Sequence, residues 1–303
     1  MHANQPDGSA WHSGELAVQQ RAGVSGLSGR GIHASIPEAW AAFLVGQRLA
    51  VFASVDLDGG LWASLRVGKP GFVRALDVTT VQTEPFEIKG DPLLKNLETN
   101  PVIGMLVIEF STRRRIRING EAEVLPDRSL RIHARQVYGN CQQYIQERVI
   151  GDGSGAETPS DPHVLTGTTL NPDQQRWIEL ADTLFIASAH PQYGADASHR
   201  GGNPGFVKIE GPNSLVIPDY SGNRMFNTLG NIVVNPKAGL LFPDFERGRT
   251  LQLSGRATID WDRDRSDFPG AQRLVAFSIE KVLEMEQPGL ASYRFKGYSR
   301  FNP

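Results

Sequence analysis

The sequence predicts a mainly β protein with some α structure, an α+β class built from two tandem small barrels related by internal duplication. Three observations predict it. Sequence blocks recur at a nearly constant offset, short alternating strands lie between Gly- and Pro-rich turns, and a helix-start signal precedes each set of strands. ASLRVGKPGFVR (63–74) aligns with ASHRGGNPGFVK (197–208) at an offset of 134, with eight of twelve positions identical. At the same offset VFASVD (51–56) meets FIASAH (185–190). At 135, NLETNPVIGMLV (96–107) meets NIVVNPKAGLLF (231–242), and IRINGEAEV (116–124) meets LQLSGRATI (251–259). Such a period is far too long for a solenoid repeat, so the chain holds two copies of one domain.

The elements follow in order. Ser35 with Glu38 has the spacing of a capping box, and Asn171 with Gln174 has the same spacing with Pro172 at the first helical position. A short helix and a strand come next in each copy, at 49–55 and 184–189. RIRING alternates, with Ile116 and Ile118 on one face and Arg115 and Arg117 on the other, as in a half-buried strand. Each copy reads helix, strand, turn, strand, strand, short helix before Asn-Pro, strand, strand. Residues 129–149 read as a helix that closes the first copy and carries Cys141, and residues 268–303 read as a tail with a helix. The boundaries are an N-terminal segment 1–30, a first copy 31–150, a linker 151–170, a second copy 171–265 and a tail 266–303. GDGSGAETPSDPH (151–163) supplies the polar Gly/Ser/Pro composition of that linker.

Composition removes several classes. Hydrophobic residues are 40% and charged residues 21% of the 303, in the range of globular proteins. A net charge of -2 provides no global attraction to nucleic acid or to an anionic membrane, and the short run RRRIR (113–117) reads as a strand end. One cysteine, Cys141, excludes an intrachain disulfide, and seven scattered histidines show no ligand spacing, so no metal site is expected. The N-terminus lacks a basic start followed by an apolar run, and no stretch approaches the ~18 apolar residues of a spanning helix. A cytoplasmic location is expected. The 32 glycines and 19 prolines match many turns between short strands.

Site-like residues concentrate in the second copy. SHRGGNPGFVK (198–208) offers the hydroxyl of Ser198, the imidazole of His199, the guanidinium of Arg200 and backbone freed by Gly201. Such a loop can wrap a phosphate, or it can be a tight hairpin turn. The repeated Ser-x-Arg spacing (Ser64/Arg66, Ser198/Arg200) favours the first reading. In IPDYSGNRMFNTLGNIVVNP (217–236), Asp219, Tyr220, Gly222 and Asn223 form a polar turn, and Asn227 and Thr228 stand at a helix start that favours anions. Asn227 is also the expected cap of that helix.

Together with HSGELAVQQRAGV (12–24), VYGNCQQYIQ (137–146) and GRATIDWD (255–262), these phrases resemble the pyridoxamine 5'-phosphate oxidase-like FMN-binding split-barrel superfamily, in its duplicated flavin-nucleotide-binding branch. The resemblance implies two tandem FMN-binding split β-barrels, six-stranded, forming a pseudo-dimer within one chain, with FMN in the interface. It implies that Ser198, Arg200, Asn227 and Thr228 hold the flavin phosphate, with Gly201 in the same loop and Asp219, Tyr220 and Asn223 near the ring or ribityl chain. Arg66, Lys69, Arg115 or Arg117 would supply the facing wall. The vitamin B6 oxidases carry Arg-Lys where this chain has Asn227 and Thr228, which argues against pyridoxamine phosphate oxidation. The first copy has Pro92 and Leu93 there and EPFEIKGD (84–91) in place of the polar turn, so one site per chain is expected. The implied activity is FMN-dependent oxidation or reduction of a small molecule, with His199 and Tyr220 as candidates for proton delivery, an electron-donating reductase as partner and a homodimer as a further possibility. A non-catalytic flavin carrier or sensor, and a haem-binding split barrel, are the rival readings.

Overall fold

The computed structural model describes residues 11–29, 31–151, 164–287 and 289–303. Helix α1 (Ser13–Arg21) and strand β1 (Ile32–His33) precede the first copy. That copy runs α2 (Glu38–Val45), β2 (Leu49–Val55), β3 (Leu61–Val67), β4 (Val73–Ala75), β5 (Thr80–Thr83), α3 (Leu93–Thr99), β6 (Val102–Glu109), β7 (Arg114–Val124), β8 (Leu130–Gly139) and β9 (Glu147–Ile150). The second runs β10 (Val164–Gly167), α4 (Pro172–Leu180), β11 (Thr183–His190), β12 (Gly194–Gly201), β13 (Lys208–Gly211), β14 (Ser214–Tyr220), α5 (Asn227–Val234), β15 (Lys237–Asp244), β16 (Arg249–Asp260) and β17 (Ala271–Glu286). A 3-10 turn (Leu290–Ser292) and β18 (Tyr293–Gly297) end the chain.

Two eight-stranded sheets have matching order. The first is β3-β2-β6-β7-β8-β5-β4 with β1 beside β8, and the second is β12-β11-β15-β16-β17-β14-β13 with β10 beside β17. The duplication read from the sequence is thus two copies of one split barrel. Each main path has seven strands, one more than the six implied by the resemblance.

Strands β2 and β11 explain how the copies join. Both are buried along nearly their whole length. Ala50 and Phe52 point into the core of the first barrel, while Leu49, Val51 and Ala53 point into a cluster shared with the second. Leu184 and Ile186 fill the second core, while Phe185, Ala187 and Ala189 meet the same shared cluster. A strand covered on both faces must be apolar at nearly every position, which is why the sequence runs here are nearly continuous. The pseudo-dimer interface is therefore a third hydrophobic core.

Two duplicated glycines set the contact distance. A Cβ at Gly104 would lie 2.6 Å from Asp196 Cα, and one at Gly239 would lie 2.5 Å from the Leu61 carbonyl oxygen. Backbone meets backbone at both points, so neither can give way cheaply. Gly104→Ala and Gly239→Ala are each expected to lower unfolding free energy by ~1–3 kcal/mol through overpacking, read as a lower urea midpoint. An unchanged midpoint for both would contradict this packing. A second duplicated pair, Gly120 and Gly255, occupies a register shift in β7 and β16. There a Cβ would sit about 2 Å from the carbonyl oxygen of His133 or Ser278.

Four local expectations are corrected. Residues 129–149 are not a helix: Leu130, Ile132 and Ala134 alternate inward along β8, with His133 and Arg135 exposed between or beside them. Cys141 lies in the irregular segment between β8 and β9. The C-terminal residues hold β17, which pairs with β14 and β16 and belongs to the second barrel, so that barrel continues well past 265. Likewise β10 falls inside the expected linker yet pairs with β17, while residues 152–163 lie outside the described residues.

The two helix starts also differ. Asn171 forms a complete capping box: its Oδ1 accepts from Gln174 N at 2.9 Å, and Gln174 Oε1 accepts from Asn171 N at 3.1 Å. Ser35 caps nothing. Pro37, itself in extended backbone, is the N-cap and offers no side-chain cap, so α2 begins at Glu38.

Candidate functional site

A polar cleft open to solvent lies between the copies. The first copy and its following segment contribute Arg115, Arg117, Asn140, Cys141, Gln143 and Tyr144. The second contributes three groups: His199 to Gly201 from β12; Asp219, Tyr220, Gly222, Asn223, Arg224 and Phe226 from the end of β14 and its turn; and Asn227 to Leu229 from α5.

Arginine dominates the floor. Arg117 Nη1 donates to Asp196 Oδ2 at 2.8 Å, and both side chains are buried. Arg200 meets Asp219 at 3.5 Å, and Arg273 meets the other oxygen of Asp219 at 3.6 Å. Burial pushes the Asp219 carboxyl upward against the pull of those two cations. Arg115 is different. Its Nη1 lies 2.8 Å from His199 Nδ1 and its Nε has no hydrogen-bond partner. Burial, reinforced by Arg117, draws its pKa down to about 9. A buried guanidinium next to a second cation and bonded to an imidazole is a strong attractor for an anion.

Alternation along β12 sorts the predicted residues. Ser198 and Arg200 share one face of the strand, and His199 takes the other. Ser198 is fully buried behind the cleft, with its hydroxyl 2.6 Å from Thr228 Oγ1 and donating to Asp196 at 3.2 Å. It supports Thr228 and does not line the cleft. His199 packs against Phe110 and Phe185, and burial together with Arg115 holds its pKa well below 6.5. The imidazole is therefore neutral at physiological pH, which removes an imidazolium role in proton delivery. Its Nδ1 accepts from Arg115, so Nε2 bears the hydrogen and has no partner. Tyr220 sits 5.1 Å from Tyr144, ring to ring, and burial raises its pKa to about 12, so it carries its proton.

Asn227 does not cap α5. Phe226, in left-handed backbone (φ 61°), is the N-cap and Asn227 is the first helical residue. Its Nδ2 donates to Glu15 Oε1 at 2.5 Å. Asn223 closes its own turn, accepting from Met225 N. Arg224 also has positive φ (61°), so the turn at the cleft mouth is held in a costly conformation.

Helix α1 is the support that sequence reasoning missed. It packs on α5 where Gly14 and Gly230 touch: a Cβ on Gly14 would lie 2.2 Å from the Gly230 oxygen. His12 caps α1, accepting at Nδ1 from Gly14 N, and its Nε2 lies 3.0 Å from Asn231 Oδ1. Glu15 accepts from His12 N at 2.9 Å. Burial lifts Glu15 from 4.5 to about 7, and burial with the nearby His190 lowers His12 from 6.5 to about 4. A carboxyl with a raised folded pKa stabilises the fold fully below 4.5, and that stabilisation is lost as pH rises through 7. His12 acts oppositely, its contribution being lost as pH falls from 6.5 through 4. Glu15→Gln is expected to flatten the fall in urea midpoint between about pH 5 and pH 8, an effect of at most ~3 kcal/mol. The same slope in wild type and variant would contradict the assignment.

The residues 140–144 were also missed as site residues because VYGNCQQYIQ reads as helical, yet it brings Asn140, Cys141, Gln143 and Tyr144 to the cleft.

Arg66 and Lys69 do not reach the cleft. Arg66 lines a separate cavity of about 170 Å3 in the first copy, with Phe52, Ser64, Phe86, Asp91 and Lys95 among its walls. Gln252 in β16 stands where β7 of the first copy has Arg117, and its Nε2 donates to Asp91 Oδ2 at 2.9 Å. Asp91 Oδ1 accepts from Ser64 Oγ at 2.7 Å and Leu93 N at 2.9 Å. The chain's own carboxylate fills the place next to the repeated serine.

Among the described residues no helix is long and apolar enough to cross a membrane. No match was found among curated proteins. Several solved structures are similar to about two fifths of the chain. HupZ of Group A Streptococcus is 11% identical over 38% of this chain and 98% of its own, with a TM-score of 0.32. A putative pyridoxamine 5'-phosphate oxidase of Lactobacillus delbrueckii is 16% identical over 43% and 98%, at 0.32. A FAD-binding protein of Mesorhizobium loti is 12% identical over 41% and 99%, at 0.29. The family model described as pyridoxamine 5'-phosphate oxidase matches twice, over residues 36–157 and 170–288, one match to each barrel. Two family matches, set on two sheets of the same order, mean that the chain belongs to the pyridoxamine 5'-phosphate oxidase family and carries its domain twice.

Proposed function

We propose that the chain is an FMN-binding flavoprotein that holds one cofactor in the cleft between its copies and serves as an oxidoreductase for a small molecule. One observation carries this reading: Arg115 and Arg117 from one copy and Arg200 from the other converge on a single cleft with the first turn of α5. The residues fit a flavin mononucleotide. Arg115 Nε, Arg117 Nε and His199 Nε2 are buried donors without partners, and a dianionic phosphate or a flavin carbonyl edge would satisfy donors of this kind. The start of α5 adds backbone N–H groups near Asn227 and Thr228. Bound flavin supplies hydride or single-electron chemistry. The chain's own part is to neutralise charge through Arg115, Arg117 and Arg200, to offer the Tyr220 hydroxyl proton, and to set one wall with Tyr144. Neutral His199 contributes an N–H, not a positive charge. The site does not repeat the Arg-Lys pair of the vitamin B6 oxidases, so pyridoxamine phosphate is not the proposed substrate.

FMN added to flavin-free protein is expected to bind with quenched fluorescence, and riboflavin, which lacks the phosphate, to bind at least ~10-fold more weakly. Equal affinities would overturn the placement of the phosphate on the arginines. Consumption of a nicotinamide donor with an acceptor then separates an oxidoreductase from a carrier.

A further inference from the structure

The cavity in the first copy is left unassigned by the flavin reading, and its chemistry is its own. Three donors, Ser64 Oγ and Leu93 N of its wall and Gln252 Nε2 from β16, are taken up by Asp91. That carboxylate leaves no room beside Ser64 for a phosphate. What remains is about 170 Å3 of space. A ~150 Å3 apolar cavity accepts a benzene ring. Phe52, Phe86, Leu93 and Leu94 are buried walls of that size class.

The guanidinium of Arg66 supplies the polar end. It lies 4.1 Å over the Phe86 ring, and Nη2 donates to the Pro85 carbonyl at 3.1 Å. Its Nε is buried with no hydrogen-bond partner. Glu84 is near enough to favour its charged form, but burial is the larger influence and lowers its pKa to about 10. The other charges around the cavity are Lys95, Arg128, Glu87 and Asp91. Arg128 pairs with Glu87 at 3.1 Å, and burial pushes the Asp91 carboxyl upward. The Asp91 carboxylate is engaged by its three donors, so Arg66 and Lys95 are the cavity cations that remain to meet a ligand.

We propose that this cavity is a second ligand site, specific for a small planar carboxylate of about benzoate size, whose carboxylate pairs with Arg66 and whose ring packs against the cavity walls formed by Phe52, Phe86 and Leu94. Unpaired guanidinium donors favour carboxylates through paired charge-assisted bonds. The arrangement excludes flavin and admits only a compact acid. It is independent of the flavin reading, since no residue lines both the cleft and this cavity.

The test uses the full chain saturated with FMN, so that the arginines of the cleft are less free to bind the probe. Benzoate is titrated by calorimetry and by ligand-observed NMR, with cyclohexylamine as a cationic probe of similar size. Benzoate is expected to bind with a Kd on the order of 1 mM or tighter, and cyclohexylamine not to bind. Arg66→Met should weaken benzoate at least roughly tenfold, and Arg200→Ala should leave it unchanged. Nuclear Overhauser contacts between the benzoate ring and Phe52 or Phe86 in the unaltered protein provide a readout that does not depend on the variant folding. Absence of benzoate binding, equal binding by Arg66→Met, or loss of binding in Arg200→Ala would each overturn the site. Failure of FMN to bind would leave the benzoate titration to be read on the FMN-free chain, where loss on Arg66→Met alone still supports it.

Discussion

Replacing Arg200 by Ala is expected to weaken FMN binding by ~10–100-fold, whereas Arg66→Ala should change it less than about twofold. Both arginines descend from the same repeated phrase, and both lie at the same place on equivalent strands. Their surroundings separate them. Arg200 borders the cleft with Arg115 and Arg117 across from it. Arg66 is folded onto Phe86 in another cavity, where Asp91 fills the place beside Ser64. Charge-assisted hydrogen bonds contribute ~1.5–3 kcal/mol each, which sets the predicted range. Fluorescence titration of flavin-free protein measures it. Equal losses in the two variants would mean that both copies hold flavin.

Asp196→Ala should cause the largest loss of stability. Asp196 comes from the second copy, and three of its partners come from the first. Arg117 Nη1 and the Tyr138 hydroxyl donate to it at 2.8 Å, and Asn119 Nδ2 donates at 3.3 Å. Ser198 of its own strand adds a fourth bond. Tyr138 is driven strongly upward in pKa by burial and by this carboxylate, so its hydroxyl remains a donor. Removing the aspartate leaves Arg117 buried without its counter-charge. Breaking a buried pair in this way costs ~3–5 kcal/mol. A chain of this size should then melt roughly 10 °C lower. Asp196→Asn keeps one accepting oxygen, and with it two of the four bonds, and should lose less. A melting point within about 2 °C of wild type would show that the knot between the copies carries little of the stability.

The duplication was legible because its markers are backbone requirements. Gly104 and Gly239 permit close approach, and Gly120 and Gly255 permit a register shift, so each pair recurs at one offset whatever happens to its neighbours. Strands β2 and β11 were legible because burial on both faces demands an apolar run. Strands β8 and β17 were not. RIHARQVYG and IEKVLEME use residues that favour helices in isolation, and pairing with neighbouring strands overrides that preference. The cleft was partly legible. Arg200, Asp219, Tyr220, Asn227 and Thr228, named from the polar turn and the repeated phrase, line the cleft. Arg115 and Arg117 were named beside Arg66 and Lys69 through the family resemblance; their own sequence shows just the outer face of an alternating strand, and nothing local says that this face meets the other copy. The role of α1 was invisible for the same reason: Glu15 and Asn227 lie 212 residues apart.

The central claim is one flavin per chain, held between unequal copies. Calorimetric titration of flavin-free protein with FMN tests it most directly. The account predicts saturation at one FMN per chain, and the same stoichiometry in Arg66→Ala. Saturation at two per chain, or no binding at all, would contradict it.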